Sequence, residues 1–170
     1  MNVERSCLLQ QIFDNVNSWL HFAEAKNAAL VAFNVALLAA IMSSNLLDVF
    51  TCFSSGIIIA LLISTMFALL SFKPINNKLE KTSNEDISEN LLHFAYISSL
   101  EKEEYIKKLY ENYWGEVNID IRVVPKIEQD YCSEIIENSR IAMRKQRYFK
   151  KGFYVVLMTM VAMVVLVICA

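Results

Sequence analysis

From Gly152 to Ala170 the chain carries no charge. Immediately before it, NSRIAMRKQRYFKKG (Asn138 to Gly152) collects Arg140, Arg144, Lys145, Arg147, Lys150 and Lys151. As a helix rising 1.5 Å per residue, the uncharged stretch is roughly 27 Å long, about the thickness of a hydrocarbon core. Cationic flanks are retained on the cytoplasmic side of a bilayer. The pattern therefore predicts that the collar stays in the cytoplasm and the tail crosses, placing Ala170 outside.

Two more uncharged runs, 28–47 and 49–72, are long enough to span. Ser43, Ser44, Asn45 and Asp48 mark a turn between them, so the pair reads as a helical hairpin. Its tip holds no Lys or Arg, whereas Arg5 and Lys26 precede it and Lys73, Lys78 and Lys81 follow it. That asymmetry places the N-terminus in the cytoplasm and the tip outside. Hydrophobic residues make up 55% of the chain, and the charges avoid whole segments, which selects a membrane protein over a soluble domain. With Gly 3 and Pro 2, little interrupts helix. The net charge of −2 gives no ground for a nucleic-acid partner. MNVERSCLLQ lacks the basic and apolar regions of a cleavable signal.

The expected fold is thus an all-α membrane protein, with three transmembrane helices and a helical cytoplasmic domain between the second and third. Residues 1–27 form an amphipathic cytoplasmic helix, 28–72 the transmembrane hairpin, 73–151 the cytoplasmic domain and basic stalk, and 152–170 the third span. In the first helix Leu8, Leu9, Ile12, Phe13, Val16, Trp19, Leu20 and Ala23 recur at helical spacing. The polar side is too poor in Lys and Arg for a helix lying in the membrane interface, so the stripe is expected to pack on protein. Nothing separates this helix from the first span. Asn34 lies within that span and is expected to bond across to another helix. Ala28, Ala29, Ala32, Ala36, Ala39 and Ala40 give a small-residue face suited to close packing and a homo-oligomer.

Residues 75–90 are polar and read as a linker. Ser98 and Glu101 have capping-box spacing and predict a helix starting there, with Tyr105, Ile106, Leu109, Tyr110 and Tyr113 on its apolar side. Leu91, Leu92, Phe94, Tyr96 and Ile97 need burial, most economically against the long helices. Gly115 ends the helix, and Val117 to Val124 alternates but lacks a pairing partner, so it reads as extended loop. Pro125 suits a helix start. The helix from Lys126 is expected to run into the last span, with Gly152 its weakest point. Cys7, Cys52, Cys132 and Cys169 are scattered away from His21 and His93, which argues for small buried hydrophobes and against a metal site.

No P-loop, G-x-G-x-x-G, G-x-S-x-G or H-E-x-x-H occurs. Glu103 and Glu104 point to different faces of a helix and, like Asp120 and Asp130, read as solvated surface. The chain is not expected to be an enzyme.

Three segments in this order, SWLHFAEAKNAALVAFNVAL (Ser18 to Leu37), NLLHFAYISSLEKEEYIKKLY (Asn90 to Tyr110) and the Asn138 to Gly152 run, resemble the transmembrane effectors of Pycsar, a bacterial antiphage system. The resemblance implies an inner-membrane protein whose ligand, cyclic CMP or cyclic UMP, is made by a partner cyclase during infection. Sensing in the cytoplasm would rearrange the membrane segments, breach the bilayer and abort the infection. SLATT-type effectors share the hairpin layout, and a ligand-free membrane scaffold or a small membrane toxin remain alternatives.

A cyclic mononucleotide needs a cation for its phosphate, an aromatic face, and amide or hydroxyl partners for its base. Arg140, Arg144, Asn138 and Ser139 offer charge and hydrogen bonds, and His93, Phe94 and Tyr96 offer stacking. The plainer readings, a cationic collar for the arginines and core for the aromatics, stand beside these.

Overall fold

The computed structural model describes residues 3–43, 51–74 and 88–169. Among these every regular element is helical: α1 (Val3–Met42), α2 (Thr51–Leu70), the single-turn α3 (Phe94–Ile97), α4 (Lys102–Trp114), a 3-10 turn (Ile121–Val123) and α5 (Lys126–Cys169). Three of them, α1, α2 and α5, are long and apolar enough to cross a membrane. The residues between α1 and α2 beyond Ser43 and the polar linker up to residue 87 lie outside the described residues. The chain divides into two compact units, Met1–Phe22 with Ile75–Arg144 and Ala23–Pro74 with Lys145–Ala170. Helices α1 and α5 contribute to both.

The first unit is built like a water-soluble domain. Leu9, Ile12 and Val16 of α1 are buried with Phe94 and Ile97 of α3, Tyr105, Ile106, Leu109 and Tyr110 of α4, and Ile135 and Ile136 of α5. The stripe read from the α1 sequence packs on protein, while Gln10, Gln11, Asp14 and Asn15 are exposed. Leu91, Phe94, Tyr96 and Ile97 are buried as their apolarity requires, but Leu92 is largely exposed and contributes instead its carbonyl, which accepts from Asn15 Nδ2 at 3.1 Å. Cys132 is buried, whereas Cys7 is exposed, contrary to the expectation of a buried cysteine, because it falls on the polar side of α1.

The capping-box reading is corrected. Ser98 does not open a helix; it closes α3, its hydroxyl donating to Ala95 O at 2.7 Å and its N–H to Phe94 O at 2.9 Å. Helix α4 starts at Lys102 with Glu101 as N-cap, three residues later than the spacing implied. The Glu101 carboxylate makes no cap bond because it pairs with Arg140. Gly115 ends α4 as expected, at φ 68°, where a side chain is disfavoured. The segment from Val117 to Val124 is not extended throughout: Asp120 accepts from Arg122 N at 3.0 Å and winds Ile121–Val123 into a 3-10 turn. Pro125 sits one residue before α5, its carbonyl accepting from Glu128 N and Gln129 N.

The second unit inverts the usual distribution. Facing inward are Asn27, Asn34, Ser54, Ser64, Ser71, Lys145 and Thr159 with Leu30, Ile41, Leu61, Ala68 and Val156. Facing outward are Phe33, Ile59, Leu62, Ile63, Met66, Leu69, Met158 and Val161. In water such a surface would be strongly unfavourable, whereas lipid solvates it and leaves small residues and hydrogen bonds to join the helices. Asn34 Nδ2 donates to Ser64 Oγ at 2.8 Å and Thr65 Oγ1 at 3.2 Å, the interhelical bond its position suggested. Ser64 Oγ in turn donates to Gly152 O at 2.9 Å.

Gly152 is not a weak point. It is buried within an unbroken α5, and an added Cβ would lie 2.9 Å from Leu30 Cδ2 and 3.0 Å from Ser64 O. The missing side chain lets the three helices meet. The alanines of α1 do not take part in this contact: Ala28, Ala29, Ala32, Ala36, Ala39 and Ala40 are all exposed.

Candidate ligand site

The sequence-derived candidates engage different partners. Arg140, half-buried on α5, donates from Nη2 to Leu100 O at 2.9 Å and to Glu101 Oε1 at 3.2 Å, and its Nε lies 3.4 Å from Ser98 O. Its guanidinium thus holds the joint between α3 and α4. Asn138 Nδ2 donates to Asn17 Oδ1 at 2.9 Å and ties α5 to α1. Ser139 is fully buried, and its hydroxyl has no hydrogen-bond partner among the described residues. Arg144 lies one turn beyond Arg140, half-buried and engaged. His93 caps α3, its Nδ1 accepting from Ala95 N at 3.3 Å, and its ring stands 4.7 Å from that of Phe94. Phe94 in turn lies 5.2 Å from Trp19. Phe94 is thus part of the core, with the partly buried His93 packed beside it.

Tyr96 behaves differently. Its ring is buried, but its hydroxyl reaches the wall of a polar cavity of about 350 Å³ within the first unit. The cavity is lined by Ser88, Glu89 and Asn90 ahead of α3, by Tyr96, and by Lys108, Asn112 and Tyr113 on α4. Lys108 Nζ donates to Tyr96 Oη at 2.7 Å and stands 3.6 Å from Glu89 Oε1. The hydrogen bond that Lys108 donates to Tyr96, outweighing partial burial, raises the Lys108 pKa above its ordinary value, with help from Glu89 and Glu104. Lys108 is therefore a charged group at neutral pH, held by one short bond and a longer ion pair. Asn90 Oδ1 accepts from Leu92 N at 2.9 Å, which fixes the amide plane and leaves its NH2 as donor.

Sequence reasoning passed over Lys108 and Asn112. The only signal was their i, i+4 spacing, which places them on one face of α4. A larger space of about 740 Å³, lined by Phe53, Ile57, Tyr154 and Met158 among others, lies within the second unit; its walls are almost wholly apolar and hold no cation.

The family model of the Pycsar effector protein domain, PycTM, matches residues 8–170. The chain belongs to the Pycsar effector family. The family is one of antiphage defence, and it supplies effectors rather than cyclases. Three apolar helices agree with its membrane character. No curated protein and no solved structure matches the chain.

Proposed function

We propose that this effector senses cyclic CMP or cyclic UMP, made by a partner cyclase, and then disrupts the bacterial inner membrane so that infection is aborted. The match of the Pycsar effector domain over nearly the whole chain carries this reading. The division of the molecule supports it: one unit has a conventional aqueous core and a polar cavity, and the other an apolar exterior over a polar interior. The N-terminus and the cavity-bearing unit lie in the cytoplasm, Ala170 lies outside, and copies of the chain assemble in the bilayer.

A ligand switches an equilibrium only through its preference for one state. Moving a population from mostly closed to mostly open takes about 5.5 kcal/mol of preference. A single charge-assisted contact contributes about 1.5–3 kcal/mol, so several contacts or several subunits must act together.

The test is membrane potential in cells carrying the effector and an inducible cyclase. Depolarisation is expected when a cyclic-pyrimidine cyclase is induced, and not with the effector alone or with a cyclic-purine cyclase. Depolarisation without any cyclase would favour a ligand-independent toxin. An unchanged potential under all conditions would remove the membrane-disrupting role.

A further inference from the structure

We infer that the polar cavity formed by Glu89, Asn90, Tyr96, Lys108, Asn112 and Tyr113 is where the nucleotide binds, with Lys108 holding the cyclic phosphate. The assignment rests on the nucleotide-sensing reading above and gives it a place in the structure.

The cavity combines the groups that such a ligand requires. A cyclic phosphate carries one negative charge, and Lys108 is a charged ammonium with three donors. One donor is taken by Tyr96 Oη at 2.7 Å, which aims the group, and Glu89 at 3.6 Å is too distant to take a second in a good hydrogen bond. Glu89 is 79% exposed, so its carboxylate can turn from the ammonium as a phosphate arrives and accept from the ribose hydroxyl instead. Asn90, with its amide oxygen already accepting from Leu92 N, presents donors suited to the carbonyl oxygens of a pyrimidine. Asn112 can supply both a donor and an acceptor, and the half-exposed Tyr113 ring offers a face to the base. The volume of about 350 Å³ lies at the small end of ligand pockets, as a mononucleotide requires.

The Arg140 side chain is already engaged by Leu100 O and Glu101. It supports the site indirectly, by fixing the joint between the two helices that carry Tyr96 and Lys108.

The assignment is tested by titrating the purified full-length protein in nanodiscs with cyclic CMP and with cyclic UMP. Lys108→Gln and Asn112→Ala are compared with Lys107→Gln, which removes the same charge from an exposed neighbouring position. Lys108→Gln is expected to weaken binding at least about tenfold, the loss of one charge-assisted contact. Asn112→Ala should weaken it severalfold, and Lys107→Gln should leave it unchanged. Asn112 is exposed, so its variant decides the matter should Lys108→Gln lower the unfolding midpoint. If the wild type binds a nucleotide and both cavity variants bind it equally well, the site is overturned while nucleotide sensing stands. Loss of binding in Arg144→Gln with retention in Lys108→Gln would move the phosphate to α5 and likewise overturn it. If the wild type binds neither nucleotide, nucleotide sensing fails and the site assignment fails with it.

Discussion

Glu128 is almost fully buried near the start of α5, and Tyr110 Oη donates to its Oε2 at 2.5 Å. The other oxygen, Oε1, has no hydrogen-bond partner among the described residues. A buried carboxylate that loses a donor keeps its desolvation penalty, so Tyr110→Phe should destabilise the protein by about 1–3 kcal/mol, seen as a lower unfolding midpoint in detergent. Burial, and then the neighbouring Glu128 carboxylate, push the Tyr110 pKa up to about 12. In an unfolded chain the phenol titrates near ~10. Its proton is held more tightly in the folded state, so its contribution to stability is complete below the unfolded value and is lost as pH rises through the folded one. Between those limits the wild type should lose stability more steeply than Tyr110→Phe. Equal midpoints for the two proteins at neutral pH would show that the bond contributes nothing.

At the scale of elements, α5 shows how one helix serves two solvents. Its first part buries Cys132, Ile135, Ile136 and Ala142 in a conventional core. Its later part exposes Tyr154, Leu157, Met158, Val161, Val164 and Val165 and buries Gly152, Val156 and Thr159. Glycine inside a helix costs about 1 kcal/mol relative to alanine, and here the absence of a side chain admits Leu30 and Ser64. Gly152→Val should destabilise the second unit by about 1–3 kcal/mol, since overpacking against a backbone carbonyl cannot be relieved by a rotamer change. Thermal unfolding in detergent reads this directly, and an unchanged midpoint would mean that the close approach is not a determinant of stability. Lys145 adds to the same unit. It is counted with the collar by sequence, yet its Nζ turns inward to Ser71 O at 3.1 Å and to Glu24 at 3.1 Å. A cation at the C-terminal end of α2 favours that end of the helix dipole.

For the whole molecule, the charge pattern predicts a topology. The exposed Arg147, Lys150 and Lys151 precede the uncharged end of α5, and the sequence of residues 43–50 holds no Lys or Arg. A reporter fused after Ala170 is therefore expected in the periplasm, and one inserted near Asn84 in the cytoplasm. Both reporters on one side would exclude three spans.

The three long apolar helices are legible in the amino-acid sequence by itself, because a bilayer reads a chain locally. Length without charge makes a span, and flanking cations orient it. The α1 stripe, the bond of Asn34 across to another helix and the stop at Gly115 are legible for similar reasons, since helical periodicity, an intramembrane amide and a left-handed glycine are properties of a few neighbouring residues. Tertiary structure alone decides the rest. Ser98 and Glu101 have the spacing of a capping box, but Arg140, distant in sequence, draws Glu101 into an ion pair and accompanies a helix start at Lys102. Lys108 looks like any solvated lysine until Tyr96 and Glu89 are brought beside it. Gly152 looks like a weak point until Leu30 and Ser64 fill the space above it. In each case the outcome depends on how each helix is rotated and which distant side chain it meets, and no local pattern of residues contains that information.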